Sequence, residues 1–143
     1  MDSADSQPCI GTAGAMQWHL KTTGKLFHSG LPHKGINPIE MGMEALAIIQ
    51  NRFYTDYPAH PDEEKWNFDT ASTMKPTQIE CARGSINQIP PRCEISGDIR
   101  LTPFYDVADV KAKVDGYVAE MNANLGTCRR TNEVHLRTLV LQR

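Results

Sequence analysis

The segment Phe27-His28-Ser29-Gly30-Leu31-Pro32-His33-Lys34-Gly35 holds the densest set of chemically able side chains in the chain. It offers two imidazoles, an ammonium and a hydroxyl among backbone positions that are permissive (Gly30, Gly35) or rigid (Pro32). Imidazole donates, accepts or exchanges a proton near neutral pH, and loops between regular elements are frequent seats of binding residues. A plain connection, with glycines and proline shaping only the turn, is an equal alternative. A second set lies in Arg83-Gly84-Ser85-Ile86-Asn87-Gln88-Ile89-Pro90-Pro91. Asn87 there brings a donor and an acceptor, although an Asn beside prolines commonly serves its own turn. Arg100 carries a planar fork that suits a carboxylate; on the polar face of a strand the same residue is usually a solvated charge.

Other candidates are weaker. Glu63-Glu64 lies in a polar excursion with no apolar strand before it, so solvation is the expected state. Asp2 and Asp5 have the chemistry of metal ligands, but two acids near a terminus usually do nothing. The five histidines include no H-x-x-x-H or H-x-H spacing, and Cys9, Cys81, Cys93 and Cys128 form no C-x-x-C pair. Reduced thiols in a cytoplasmic protein are expected. Fifteen Lys and Arg face seventeen Asp and Glu, a formal charge of −2, which gives no reason to expect a nucleic acid or an anionic membrane as partner. No apolar run approaches the ~20 residues of a membrane span. The start MDSADSQPC lacks the basic and apolar parts of a secretory signal.

These residues need elements to hold them. Residues 1–15 read as a loop or incoming linker. From Met16 to Gly24 the chain alternates, with Met16, Trp18, Leu20 and Thr22 on one face and Gln17, His19, Lys21 and Thr23 on the other, as in a half-buried strand. Asn37-Pro38-Ile39-Glu40 has a capping residue, a proline suited to the first helical position and a Glu placed like the return arm of a capping box. Ile39, Met43, Leu46, Ile49 and Phe53 then recur at helical spacing, and the helix should fade at Tyr57-Pro58. Residues 58–70 read as an exposed excursion. Thr73 to Ala82 predicts a strand that Pro76 confines to an edge or an irregular start. Residues Gly84 to Pro91 read as a turn, and Cys93 to Leu101 alternate clearly. Asp106 opens a helix striped by Val107, Val110, Val114, Val118, Met121 and Leu125 and ended by Gly126. Val134, Leu136 and Val140 mark one side of a last strand. The order strand, helix, strand, strand, helix, strand predicts an α+β fold: a ferredoxin-like split βαβ sandwich, with a four-stranded antiparallel sheet carrying both helices on one face.

Two stretches in sequence order resemble a known family. GKLFHSGLPHKGINPIE is similar to the G-x-x-x-H-S-x-x-P-x-x-G-x-N-A-I-E signature of the dimerisation, or lid, domain in zinc-dependent aminoacylase and deacylase metallopeptidases. GSINQIPPRCEISGDIRLTP resembles the same domain's G-G-x-x-x-N-x-I-P…D-I-R-x-x-P stretch. The runs TGKLFHSGLPHKGIN, FYTDYPAHPDEE, STMKPTQ and DIRLTPFYDV look most like the plant-type acetylornithine deacetylases within it. The resemblance covers residues 2–125. Pro38 replaces the family's small residue harmlessly, and residues 126–143 do not look like the expected continuation.

The resemblance implies a two-domain parent hydrolase in which a larger catalytic domain binds two zinc ions and the lid contributes across a homodimer. The parent reaction would be N-acetylornithine plus water giving ornithine and acetate, in arginine biosynthesis. It implies that His28 is a catalytic oxyanion donor acting in trans, and that Asn87 and Arg100 bind a small N-acyl amino acid. Asn37 also matches, but capping explains it. The family's H-x-D motif, its Glu-Glu pair in a strand context and its distal His are lacking. Asp2 alone falls where the family places an acidic metal ligand, with Asp5 as a fallback. Residues 1–15 then read as a linker or stub of the catalytic domain, 16–125 as the lid, and 126–143 as an atypical end. The chain alone is expected to be inactive and to hold no zinc tightly. A stand-alone ferredoxin-like interaction or small-molecule-binding module is the alternative.

Overall fold

The computed structural model describes residues 14–123 and the backbone of 124–125 and 134–140. Strand β1 spans Gly14–Thr23, two residues earlier than the alternation suggests, and β2 is the short Phe27–His28. Helices α1 (Pro38–Asp56) and α2 (Pro61–Lys65) follow, then β3 (Thr73–Cys81), the short β4 (Gln88–Ile89), β5 (Arg92–Leu101), α3 (Val107–Leu125) and β6 (Val134–Val140). The main sheet is antiparallel in the order β3-β5-β1-β6, with β6 paired to β1 from Met16 against Val140 to Thr22 against Val134. The sidedness of Val134, Leu136 and Val140, and the helix stop at Gly126, lie outside the described residues. So do Asp2, Asp5, Cys9 and Cys128.

The period-two pattern of β1 sorts as its residue types require. Met16, Trp18, Leu20 and Thr22 are buried, while Gln17, Lys21 and Thr23 are exposed. In β5, Cys93, Ile95, Ile99 and Leu101 share that buried face, with Gly97 between them. One continuous core joins this face to Ala45, Ile49 and Phe53 of α1 and Val110, Val114 and Tyr117 of α3, so both helices cover the same side of the sheet. The other side is open and polar. Pro76 stands where expected, on the edge strand, and the pairing of β3 with β5 shifts register between Pro76 and Gln78.

Asn37 caps α1 by accepting the Ile39 N–H at 3.1 Å, with Pro38 in the first turn. The stripe of α1 differs from the expected one at Met43, which is 60% exposed. The buried line runs Met41, Gly42, Ala45, Ile49, Phe53. Gly42 is what permits this: a Cβ there would lie 3.2 Å from Ile95 and 3.4 Å from Thr22, so the helix approaches the sheet at its smallest residue and turns Met43 outward.

The excursion at 58–70 is more ordered than its composition suggests. Its helix α2 buries Glu63, which accepts the Thr102 hydroxyl at 2.7 Å, so the expected solvated Glu63-Glu64 pair is corrected to one buried acid and one exposed one. Aromatic contacts fasten the same segment to the β5–α3 connection: His60 stacks on Phe104 at 4.6 Å, and Phe68 meets Phe104 edge-on. A sequence pattern has no period for such a loop-to-loop contact.

Candidate functional site

His28 owes its position to a closed loop. Lys25 and Ile36 exchange backbone hydrogen bonds at 2.9 and 3.0 Å across the base, and the Gly24 N–H donates to the Pro91 carbonyl at 2.8 Å. Inside, Phe27 and the buried Ile89 face each other in the two-residue pairing of β2 with β4. Gly35 is required there, since a Cβ would sit 2.9 Å from both Ile89 and Phe27. This apolar plug fixes the ribbon, and His28, next to Phe27, stands exposed at its tip opposite Gln88.

The ribbon is the element that the sequence reading missed, because two-residue strands show no periodicity. It brings the two separate candidate segments together. The Ser29 N–H donates to the Asn87 carbonyl at 2.9 Å, and the Asn87 side-chain amide lies 3.4 Å from His28 Nε2. The Gly30 N–H donates to His28 Nδ1 at 2.9 Å. A ring nitrogen that accepts carries no proton, so neutral His28 has its hydrogen on Nε2. The Asn87 amide nitrogen, itself a donor, lies beside Nε2 without consuming its hydrogen. The chemical product is an exposed N–H donor with a second amide beside it. His33 is exposed in the 3-10 turn Pro32–Lys34 and joins neither group.

Arg100 lies elsewhere. It sits near the end of β5 on the open face, where its Nε donates to Asp98 Oδ2 at 2.6 Å. With Gln17, His19, Thr77 and Ser96 it lines a shallow recess of about 350 Å³. The ribbon adjoins the Arg92 end of β5, and Arg100 stands farther along that strand, roughly 27 Å from Arg92 at ~3.4 Å per residue. Within one chain His28 and Asn87 meet, and Arg100 does not join them.

On that open face His19 also touches Glu94 at 3.0 Å and the Ser96 hydroxyl at 2.9 Å. Both contacts fall on Nδ1, so this is no relay, which needs the base and its orienting acid on opposite ring nitrogens. Among the described residues no three His, Cys, Asp or Glu converge on a point where a metal ion would sit. The described donor set therefore does not fit a zinc centre.

Residues 10–125 match the peptidase dimerisation domain family. The chain belongs to that family. As a peptidase dimerisation domain it is similar to acetylornithine deacetylase of Arabidopsis thaliana, 58% identical over 125 residues, and to that of Dictyostelium discoideum, 52% identical over 129. These alignments cover 87% and 90% of the chain but 28% and 29% of the relatives, so the chain spans under a third of the length of the curated relatives it matches. Among solved structures, an amidase of the hydantoinase/carbamoylase family from Burkholderia phymatum aligns over 92% of this chain and 29% of its own, with a TM-score of 0.64 at 13% identity. That likeness concerns the fold.

Proposed function

We propose that this dimerisation domain is the lid of an acetylornithine-deacetylase-like, metal-dependent amidohydrolase, whose parent reaction is N-acetylornithine plus water giving ornithine and acetate. The observation that carries the reading is the state of His28: its Nδ1 is occupied by the Gly30 N–H, which leaves Nε2–H at the exposed tip as a donor. As water adds to the acetyl carbonyl, negative charge grows on the carbonyl oxygen. A donor already aimed at that oxygen in a water-poor cleft lowers the barrier, because it needs no reorganisation when the charge appears. His28 fills that role, with the Asn87 amide as a second donor meeting the substrate beside it. Arg100 grips the substrate carboxylate with its guanidinium fork.

The separation of Arg100 from His28 supports a division of labour between two copies. One small substrate cannot span the ~27 Å of β5 from Arg92 to Arg100, so the Arg100 that helps at one site belongs to a different chain from the His28–Asn87 pair serving it. The zinc ions, the general base and the remaining ligands belong to the rest of the parent enzyme. Asp2, or Asp5, would be this chain's share of the metal site, within a stub at residues 1–15. Residues 16–125 form the lid, and the atypical end, 126–143, supplies β6 as the last strand of its four-stranded, split-βαβ sheet.

The test is His28→Ala in the full-length parent enzyme. Turnover should fall by ~10²–10³, the loss for one oxyanion donor, with zinc content and thermal midpoint unchanged. His33→Ala should have little effect. A mixed dimer of a His28→Ala chain with a chain lacking the catalytic base should regain one active site of two. Unchanged turnover in His28→Ala would remove the catalytic assignment.

A further inference from the structure

The two cysteines inside the described fold stand directly opposite each other. Cys81, the last residue of β3, pairs with Cys93, the second residue of β5. The next pair along is bonded, with the Ala82 N–H donating to the Arg92 carbonyl at 3.3 Å. Antiparallel pairs alternate between bonded and non-bonded, so Cys81 and Cys93 occupy a non-hydrogen-bonded position. There the Cα atoms are ~4.5 Å apart and the side chains lean closest, within the span that a disulfide bridges. Both thiols are free, Cys81 exposed and Cys93 buried. Cys93 is also held still, since Thr22 stands opposite it in β1 and donates its hydroxyl to the Cys93 carbonyl at 3.3 Å.

We propose that Cys81 and Cys93 are a reversible thiol–disulfide pair, in which Cys81 reacts with a small disulfide of the glutathione class and Cys93 resolves the product into a cross-strand disulfide. The Cys81 thiolate attacks one sulfur of the oxidant, forming a mixed disulfide and expelling one thiolate. Cys93 then gives its proton to solvent and its sulfur attacks that of Cys81. The cross-strand S–S bond forms, the mixed disulfide breaks, and the second thiolate leaves and takes up a proton. The chain loses two electrons and two protons, and the oxidant becomes two thiols.

The division of roles follows from surroundings. Burial, and after it the adjoining Cys81 side chain, pushes the Cys93 thiol up to about 12, so Cys93 keeps its proton until the mixed disulfide sits beside it. Cys81 lines a recess of about 400 Å³ in which Lys21 and Arg92 are balanced by Glu80 and Glu94, which gives a small peptide disulfide access without a net repelling charge. A bridge at a sheet edge with one accessible sulfur is of the readily reduced kind rather than the permanent one. It would cross-link the neck of the 82–92 loop, which carries Asn87, and so stiffen the ribbon that holds His28. The inference stands apart from the deacetylase reading, because thiol state is measured without any activity.

The experiment uses the full chain with Cys9→Ser and Cys128→Ser, at dilute concentration because Cys81 ends an edge strand. The chain is incubated with glutathione disulfide, quenched with an alkylating reagent and examined by intact mass and peptide mapping. The expected product is lighter by two hydrogens, unalkylated, and maps to a Cys81–Cys93 cross-link that dithiothreitol removes. Adding Cys93→Ser should stop the reaction with one glutathione on Cys81. Adding Cys81→Ser should leave Cys93 unmodified unless the chain is denatured, which keeps the test decisive if Cys93→Ser fails to fold. A glutathione adduct persisting on Cys81 beside a free Cys93, or two free thiols after treatment, would overturn the proposal.

Discussion

A carboxylate buried beside a strand end needs a donor, and Glu63 has one in the Thr102 hydroxyl. The Thr102 N–H in turn donates to Ser72 Oγ at 3.1 Å, and the Ser72 and Thr102 hydroxyls lie 3.4 Å apart. The three side chains tie the excursion after α1 to the end of β5, two residues beyond Arg100. Glu63→Ala leaves a buried hydroxyl without its acceptor, so urea unfolding should show a loss of about 1–3 kcal/mol. Glu63→Gln keeps an acceptor oxygen and should lose less. Equal effects of the two variants would mean that the network contributes through volume alone. His28 shows the opposite economy of contacts: it is exposed, and its removal should leave the unfolding curve where it was.

Elements meet at points that tolerate no added atom. Trp18 of β1 stands opposite Gly97 of β5, and Lys75 of edge strand β3 is close on the other side. A methyl at Gly97 would overlap the Lys75 carbonyl and lie 2.6 Å from the Trp18 ring. Gly97→Ala should therefore destabilise by at least about 2 kcal/mol, the cost of overpacking a rigid site, read as a lowered urea midpoint with native-like circular dichroism before the transition. The helices meet through Tyr117, whose hydroxyl donates to Asp56 Oδ2 at 2.5 Å, while Lys113 pairs with the same oxygen at 3.4 Å. The Tyr117 hydroxyl first, and Lys113 after it, hold the Asp56 carboxyl below its ordinary value against the opposing effect of desolvation. A carboxyl lowered on folding stabilises fully above its unfolded value of about 3.9, and that contribution is lost as pH falls through the lowered folded value. The stability gap between the wild-type chain and Tyr117→Phe should therefore be wider at neutral pH than in acid below Asp56's titration, measured by urea unfolding at both. A constant gap would assign the whole effect to packing.

At the scale of the whole molecule, two exposed apolar side chains among the described residues flank the β3 edge. Gln50 and Tyr54 of α1 both donate to the Met74 carbonyl of β3, at 2.8 and 3.0 Å, so their side of the helix looks toward the β3 edge. Met43 is seven residues before Gln50 and shares that azimuth at 3.6 residues per turn. Ile79 of β3 stands beside Ile95 on the helix face of the sheet, and Met43 and Ile79 are 60% and 57% exposed. An edge strand with exposed apolar neighbours favours pairing with a second copy, extending the sheet across a two-fold axis. We expect a homodimer through α1 and β3. Met43→Glu combined with Ile79→Lys should raise its dissociation constant by on the order of 10², since ~1.4 kcal/mol per site is tenfold each. Light scattering over a dilution series, with circular dichroism to confirm the fold, reads this directly. An unaltered dimer in the double variant would move the interface elsewhere.

Local chemistry settled much of this in the sequence itself. Alternation placed Met16, Trp18 and Leu20 on the inner face of β1, because a strand offers only two faces. Asn37-Pro38 set the start of α1 and Pro58 its end, because capping and proline sterics act within a few residues. Pro76 marked an edge strand, because a central one cannot spare the donor. Family motifs singled out His28, Asn87 and Arg100, yet not their mutual positions. What only tertiary structure decided depends on residues far apart in the chain. Gly42 against Ile95 rotated Met43 outward, Thr102 drew Glu63 into the core, and the β2–β4 ribbon brought Asn87 to His28. Strand register set Cys81 against Cys93, and the length of β5 carried Arg100 away from the pair it was grouped with. Each of these is a contact across the sheet or between loops, and a periodicity read along one segment holds no information about the partner that another segment will present.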